Sequence, residues 1–576
     1  MSANCEHQES QPAAHLHRLH EKLDATLDPL GVVVPLLHAQ LAWCLHPQEL
    51  AEQQLDFSLD ALAVAAHATR RSLGVPSDDP IVPQPDDTRF SDPVWTEEAG
   101  WDIVKQGYLL ITRHIQDMLY LTPGLSGNER RRAAFWWRKY LNAVAPTNYL
   151  WSNPVALRLA LESHGQSLVR GFENYLDDLE AGTIRMTNPD DFQVGENLAT
   201  TPGAVVARNE LLEVIRYRPS RSQVHSRPLL IVTPWINKFY VLDLTARKSM
   251  VAYLLDQGFD VYITSWKNPG PEMADTGFDD YIVRGVDFAV QTARKLSQAD
   301  QVTAAGYCIG GTALAIYMAW AAKHFAVDAQ PVAAWTLFTT LVDFAKPGDI
   351  EVFIDEGSVR YLSDTMRRQG VLDGQAMAWS FRLLRSNSLI WHYYVHGYLY
   401  GEKPSAFDVL FWNMDTTRMP AAMHTWYLRE LYLHNRLIQT DALSVGGEAI
   451  SLERISQPLY AVGAEDDHIA PWQQTFCVMN HVRGDKRYVL SSSGHILGIV
   501  NPVVEPPKRR YRAGSAHRTD SPDKWLERTP AQAGSWWTDW VAWLAPLSGE
   551  MRAAPAADKL APRSLGAAPG KYVLES

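Results

Sequence analysis

The sequence predicts a helical N-terminal region followed by a mostly parallel, doubly wound α/β domain, and three observations carry that reading. Through about residue 200 the chain is rich in helix formers, and its apolar residues recur at helical spacing. From about residue 227, short apolar runs rich in β-branched and aromatic residues alternate with helical segments, the pattern of strand–helix–strand units. Within that second part, residues 302–311 (VTAAGYCIGG) read as a strand, a glycine-flanked Cys308 and the start of a helix.

Composition sets the bounds. A chain of 576 residues, 46% of them hydrophobic, is long enough to bury a large core and to divide into two or more domains. The formal charge of −12, from 53 basic and 65 acidic residues, gives no electrostatic case for a nucleic-acid partner, so an anionic substrate needs a local basic site. The first residues lack a basic segment followed by an apolar run, and no stretch of roughly 18 uncharged apolar residues occurs, so a cytoplasmic protein without a transmembrane segment is expected. The four cysteines, at 5, 44, 308 and 477, have no metal-ligand spacing and are too few for a disulfide scaffold. No metal is expected, and Cys5, Cys44 and Cys477 read as bystanders.

Taken in order, residues 1–75 form an N-terminal helical region with a break at Pro35 and an apolar run over 32–44. Residues 76–97, rich in Pro and Asp, read as a linker. A helical domain spans 98–200; there Trp101, Val104, Tyr108, Ile111, Ile115 and Met118 recur at steps of three and four, which predicts one core-facing helix stripe. The α/β domain covers 201–549, with strands expected at 229–232, 261–265, 302–305, 332–337, 459–462 and 488–490. Residues 343–449 carry helical and aromatic-rich sequence without a clear strand, and read as a cap inserted over the site. The Ala/Pro-rich end, 550–576, is expected to be a flexible tail.

The chemistry gathers where strands end. The glycines around Cys308 suit a sharp strand-to-helix turn that exposes the nucleophile over a helix N-terminus, where the backbone N–H groups favour a thiolate. Sulfur itself is informative, because an acyl group passed from a thioester to a thiol keeps its transfer potential, whereas a serine would trap it as an oxyester. Two later strands are followed by Glu465-Asp466-Asp467-His468 and by Ser493-Gly494-His495. Nucleophile, acid, histidine is the chain order of α/β-hydrolases. Histidine takes the thiol proton and a carboxylate orients it; on spacing alone the acid is open between Asp467, Asp466 and Glu465, and His468 competes as base. The N–H of Ile309 and one from the loop 233–238, taken as Ile236, are the expected oxyanion donors.

These residues resemble polyhydroxyalkanoate synthases, most closely the single-subunit group that prefers short-chain monomers. The elbow at 306–311 looks like their lipase-like box, and 234–244, 467–472, 493–498, 534–537, 411–413 and 89–95 match further segments, so the resemblance runs over about 85–545. It implies an α/β-hydrolase-like catalytic domain in which Cys308 is acylated, His495 activates it, and Asp467 helps activate the 3-hydroxyl of an (R)-3-hydroxyacyl group. It further implies (R)-3-hydroxyacyl-CoA as substrate, a growing polyester with free coenzyme A released, and no cofactor. The expected setting is a homodimer on intracellular polymer granules, with granule-associated proteins as further partners. Trp235 and Tyr307 depart from the pattern, which usually carries a smaller residue and a Phe. Lys238 and the arginines near Arg509 offer themselves as phosphate partners. The rival activity is a thioesterase or polyester depolymerase, since the same triad delivers an acyl group to water.

Overall fold

A computed structural model describes residue 28 and residues 30–85, 87–556 and 565–575. Cys5, the first part of the N-terminal helical region and residues 557–564 of the expected tail lie outside the described residues. The chain divides into two compact units: residues 1–188 with 355–361 and 379–406, and residues 189–354 with 362–378 and 407–576. The stretch 343–449, expected as one inserted cap, is therefore shared between them.

The first unit is helical. Its helices include α1 (Val34–Leu45), α2 (Pro47–Ser72), α3 (Ala99–Tyr120), α4 (Gly127–Ala143) and α5 (Gln166–Ala181). Pro47 lacks an N–H to continue α1 but suits the first turn of α2, while Ser126 and Glu129 close a reciprocal capping box at the start of α4. The presumed linker is not loose. Ile81, Phe90 and Trp95 are buried with Val64, Leu109 and Leu110, and the Gln106 amide spans the N–H and C=O of Ile81 at 3.1 Å each.

The stripe read along α3 is also only partly right. Val104 and Ile111 are exposed, and the buried positions are Asp102, Lys105, Gln106, Leu109, Leu110 and Leu119. Charge is tolerated inside because it is matched. Lys105 Nζ lies 2.8 Å from Asp79 and 3.1 Å from Asp102, whose other oxygen meets His67 Nε2 at 2.8 Å and Arg71 at 3.0 Å.

The second unit holds a ten-stranded sheet of β1 (Gly203–Arg208), β2 (Leu212–Tyr217), β3 (Leu229–Val232), β4 (Val261–Trp266), β5 (Val302–Tyr307), β6 (Val332–Phe338), β7 (Leu459–Ala464), β8 (Lys486–Ser491), β9 (Arg510–Ser515) and β10 (Ala531–Ala533). Their order is β1-β2-β4-β3-β5-β6-β7-β8-β9-β10. From β4 to β8 all neighbours are parallel, and the two strands at each edge pair antiparallel. Every predicted run lies within one of the observed strands. The edge strands β1, β2, β9 and β10 were not predicted; they carry polar residues such as Glu213, Arg216 and Arg512 between apolar ones.

Alternation along the strands builds two cores. Leu229 and Ile231 of β3 enter one cluster, and Leu230 and Val232 the other. On β5 Ala304 faces the same side as Leu230, while Ala305 and Tyr307 face the opposite side. Helix α6 (Ile309–His324) is buried at each residue from Ile309 to Ala321, as its apolar composition on all sides requires.

The described part of the end of the chain is anchored, contrary to the expected tail. Met551–Ala553 pairs antiparallel with Gln223–His225. Farther on, Ala568 N–H donates to Gly203 at 3.0 Å, Lys571 and Tyr572 N–H donate to the Glu213 carboxylate at 2.9 and 3.1 Å, and Val573 is buried. Backbone pairing and a buried carboxylate hold what composition alone read as free.

Candidate active site

Cys308 sits between the end of β5 and the first residue of α6, with φ of +52° and ψ of −124°. That left-handed φ is costly for a residue with a Cβ and marks a strained turn. It is made possible by close backbone approach on both sides. A Cβ on Gly306 would stand 2.5 Å from Gly311 Cα, and one on Gly310 would stand 2.5 Å from the carbonyl oxygens of both Val232 and Thr233. Cys308 N–H donates to Phe338 at 2.9 Å, tying the turn to β6.

His495 follows β8 and Asp467 follows β7, so parallel pairing of those strands brings their loops together. Nδ1 of His495 donates to Asp467 Oδ2 at 2.7 Å, and Oδ1 of Asp467 accepts from the N–H groups of Ile469 and Ala470, each at 2.9 Å. The Asp467 side chain is fully buried. With Nδ1 engaged, Nε2 is the nitrogen left to face the Cys308 sulfur, which is near enough to influence the ring. Burial alone would lower the imidazole pKa; the Asp467 carboxylate and the Cys308 sulfur, by charge and hydrogen bonding, outweigh it and hold His495 well above its ordinary value. The three residues expected from the sequence thus meet, and the alternatives do not. Asp466 is exposed, and Glu465 pairs with Arg510 at 3.0 Å.

Ile309 opens α6, so its N–H is among those with no acceptor within the helix. Ile236 lies on the loop after β3 and is held from behind, where the Thr417 hydroxyl donates to its carbonyl at 2.7 Å. Lys238 is not a phosphate partner: it is buried, with Nζ 2.8 Å from Asp415, whose other oxygen accepts from Tyr240 at 2.9 Å. Trp235 packs among Trp266, Phe278 and Tyr281 at ring distances of 4.6 to 5.8 Å.

Several site residues escaped the sequence reading. Tyr427 and Tyr432 lie on a π-helical segment Tyr427–Leu433, and their rings meet edge-on at 5.2 Å. Burial pushes both hydroxyls above their ordinary pKa. Their signal was present in the aromatic density of 426–432, but nothing there specified the direction they face. The motif at 534–537 also gains a role, since the Trp536 and Trp537 indoles donate to the carbonyls of Gly498 and Ile499 at 2.8 and 2.9 Å and pin the segment after His495.

Comparison with known proteins decides the family. Residues 86–254 match the family described as "Poly-beta-hydroxybutyrate polymerase (PhaC) N-terminus", and residues 235–502 match "alpha/beta hydrolase fold". The poly(3-hydroxyalkanoate) polymerase of Methylorubrum extorquens is 38% identical over 535 residues, covering 92% of this chain and 88% of its own. The chain belongs to the poly(3-hydroxyalkanoate) polymerase family. Further members include the polymerase subunit of Rhizobium meliloti, 37% identical over 96% of this chain and 90% of its own, and that of Cupriavidus necator, 39% identical over 84% and 83%. It is thus an enzyme of a family of acyltransferase-type synthases on an α/β-hydrolase fold. Among the described residues, no helix is long and apolar enough to cross a membrane.

Proposed function

We propose that this polymerase converts (R)-3-hydroxyacyl-CoA into polyhydroxyalkanoate by carrying the acyl chain on Cys308. One observation carries the proposal: a cysteine, and not a serine, occupies the strained elbow beside a buried His495–Asp467 pair. In the first step the sulfur attacks the thioester carbonyl, His495 takes the thiol proton, and coenzyme A leaves with it. The oxyanion is met by the N–H groups of Ile309 and Ile236. In the second, the hydroxyl of another hydroxyacyl-CoA attacks the Cys308 thioester. An ester bond forms, the sulfur leaves, and the hydroxyl proton returns to it through His495. The lengthened acyl-CoA then reacylates Cys308, so each addition releases one coenzyme A.

The hydrogen bonds of Asp467 support a different part for it from the one the resemblance implied. One oxygen serves His495 and the other serves two backbone N–H groups, and the side chain is fully buried, which supports an orienting part over direct contact with a substrate hydroxyl. Asp467 orients His495, and His495 performs both proton transfers. A homodimer at the granule surface in the cytoplasm is part of the same reading. Leu37, Leu41 and Leu45, exposed at four-residue steps along α1, suit an apolar contact of that kind.

The test is to incubate the protein with (R)-3-hydroxybutyryl-CoA and follow free thiol and insoluble polymer together. Thiol release matched by polymer is expected; thiol release with only soluble 3-hydroxy acid would sink the polymerase reading. Cys308→Ala should lose the covalent acyl-enzyme on intact-mass analysis.

A further inference from the structure

We propose that Tyr307 is a positioning residue whose hydroxyl ties the histidine loop to the nucleophile strand. The inference rests on the reading of His495 as the base. Tyr307 is the last residue of β5, next to Cys308, and is 1% exposed. Its hydroxyl donates to the backbone carbonyl of His495 at 3.2 Å, and its ring lies 5.7 Å from the imidazole at 26°, nearly parallel. One side chain therefore grips the histidine at both its main chain and its ring.

The loop needs such a grip. Ser493 has φ of +82°, a left-handed conformation unfavourable for a residue with a Cβ, so the turn into His495 is not held by its own backbone preference. Beyond His495 the chain is fastened by Gly498 N–H to Gly494 at 2.7 Å and by the two indoles on Gly498 and Ile499. These fix the far side of the loop. The Tyr307 bond attaches to His495's own backbone from the strand that carries the nucleophile. The Asp467 bond sets the ring's rotation, and the Tyr307 bond sets the distance between its main chain and Cys308. A phenylalanine, the usual residue at this place by the resemblance, keeps the stacked ring and drops the bond. In this chain the hydroxyl makes a direct tether between base and nucleophile.

The test compares Tyr307→Phe and His495→Ala with the unaltered full chain, measuring single-turnover acylation and steady-state turnover of (R)-3-hydroxybutyryl-CoA. Tyr307→Phe should lower kcat about five- to tenfold with KM within about twofold, as expected when a reacting group loses alignment and binding is unaffected. Its melting temperature should stay close to that of the unaltered protein. The low-field proton resonance of the His495–Asp467 hydrogen bond should also exchange faster. Unchanged kcat, or a raised KM at unchanged kcat, overturns the inference, as does a lowered melting temperature with full turnover. If His495→Ala abolishes acylation while Tyr307→Phe matches the unaltered protein, only the tether falls. If His495→Ala still acylates, the underlying reading of the base falls instead.

Discussion

The Asp467 carboxylate receives Nδ1 of His495 at 2.7 Å while its second oxygen is filled by the backbone of Ile469 and Ala470. A group so occupied acts on the imidazole. Asp467→Asn should therefore slow Cys308 acylation and chain elongation together, each on the order of 100-fold or more, because the amide favours the wrong tautomer. Separate measurement of the acyl-enzyme by intact mass and of polymer yield distinguishes the roles. Normal acylation with failed elongation would indicate a carboxylate working directly on the substrate hydroxyl.

Gly310→Ala should destabilise the catalytic unit. The added Cβ meets two main-chain carbonyls, of Val232 and Thr233, and neither is a flexible side-chain tip that moves aside. A loss of about 2 kcal/mol or more is expected from overpacking of this kind. Chemical denaturation measures it, and an unaltered midpoint would contradict the close approach of α6 to β3.

His424 provides a pH test. It is 4% exposed, and burial pushes its pKa down from 6.5 to about 4. Between those values the unfolded chain binds a proton that the folded one refuses, so stability falls as pH drops through this window. The full effect is about 3 kcal/mol. Melting curves from pH 8 to 4 should show the wild-type protein losing more stability than His424→Phe, whereas parallel curves would place the imidazole in a wetter site.

In the helical unit, Lys105→Met should cost about 3 kcal/mol or more, since it strips the ammonium from Asp102 and Asp79 and leaves a buried carboxylate short of a partner. The double change with Asp102→Asn should recover part of that loss. Denaturation of the single and double variants checks the coupling.

The central strands were legible because burial on both faces makes them plain apolar runs, as in 302–305 and 459–462. The three candidate site residues were legible because each stands just beyond such a run. What escaped depends on pairing partners distant in sequence. The buried side of α3 is set by Lys105 meeting Asp79 and Asp102, so apolar periodicity pointed to Val104 and Ile111 instead. The end of the chain looked free because no composition rule records that Glu213 collects the N–H groups of Lys571 and Tyr572. Tyr307 was noticed only as an unusual neighbour of the nucleophile; its bond to His495 spans 188 residues.

The backbone-on-backbone approach at Gly310 has a wider consequence. It fixes the start of α6 directly against Val232 and Thr233, whose loop leads to Ile236, with no side chain interposed. The dipoles expected to receive the oxyanion are thereby registered to one another by main chain alone. Tyr427 and Tyr432 lie on a separate segment, 427–433, and take no part in that backbone contact. Side chains that approach Cys308 can therefore change while the start of α6 keeps its place against β3.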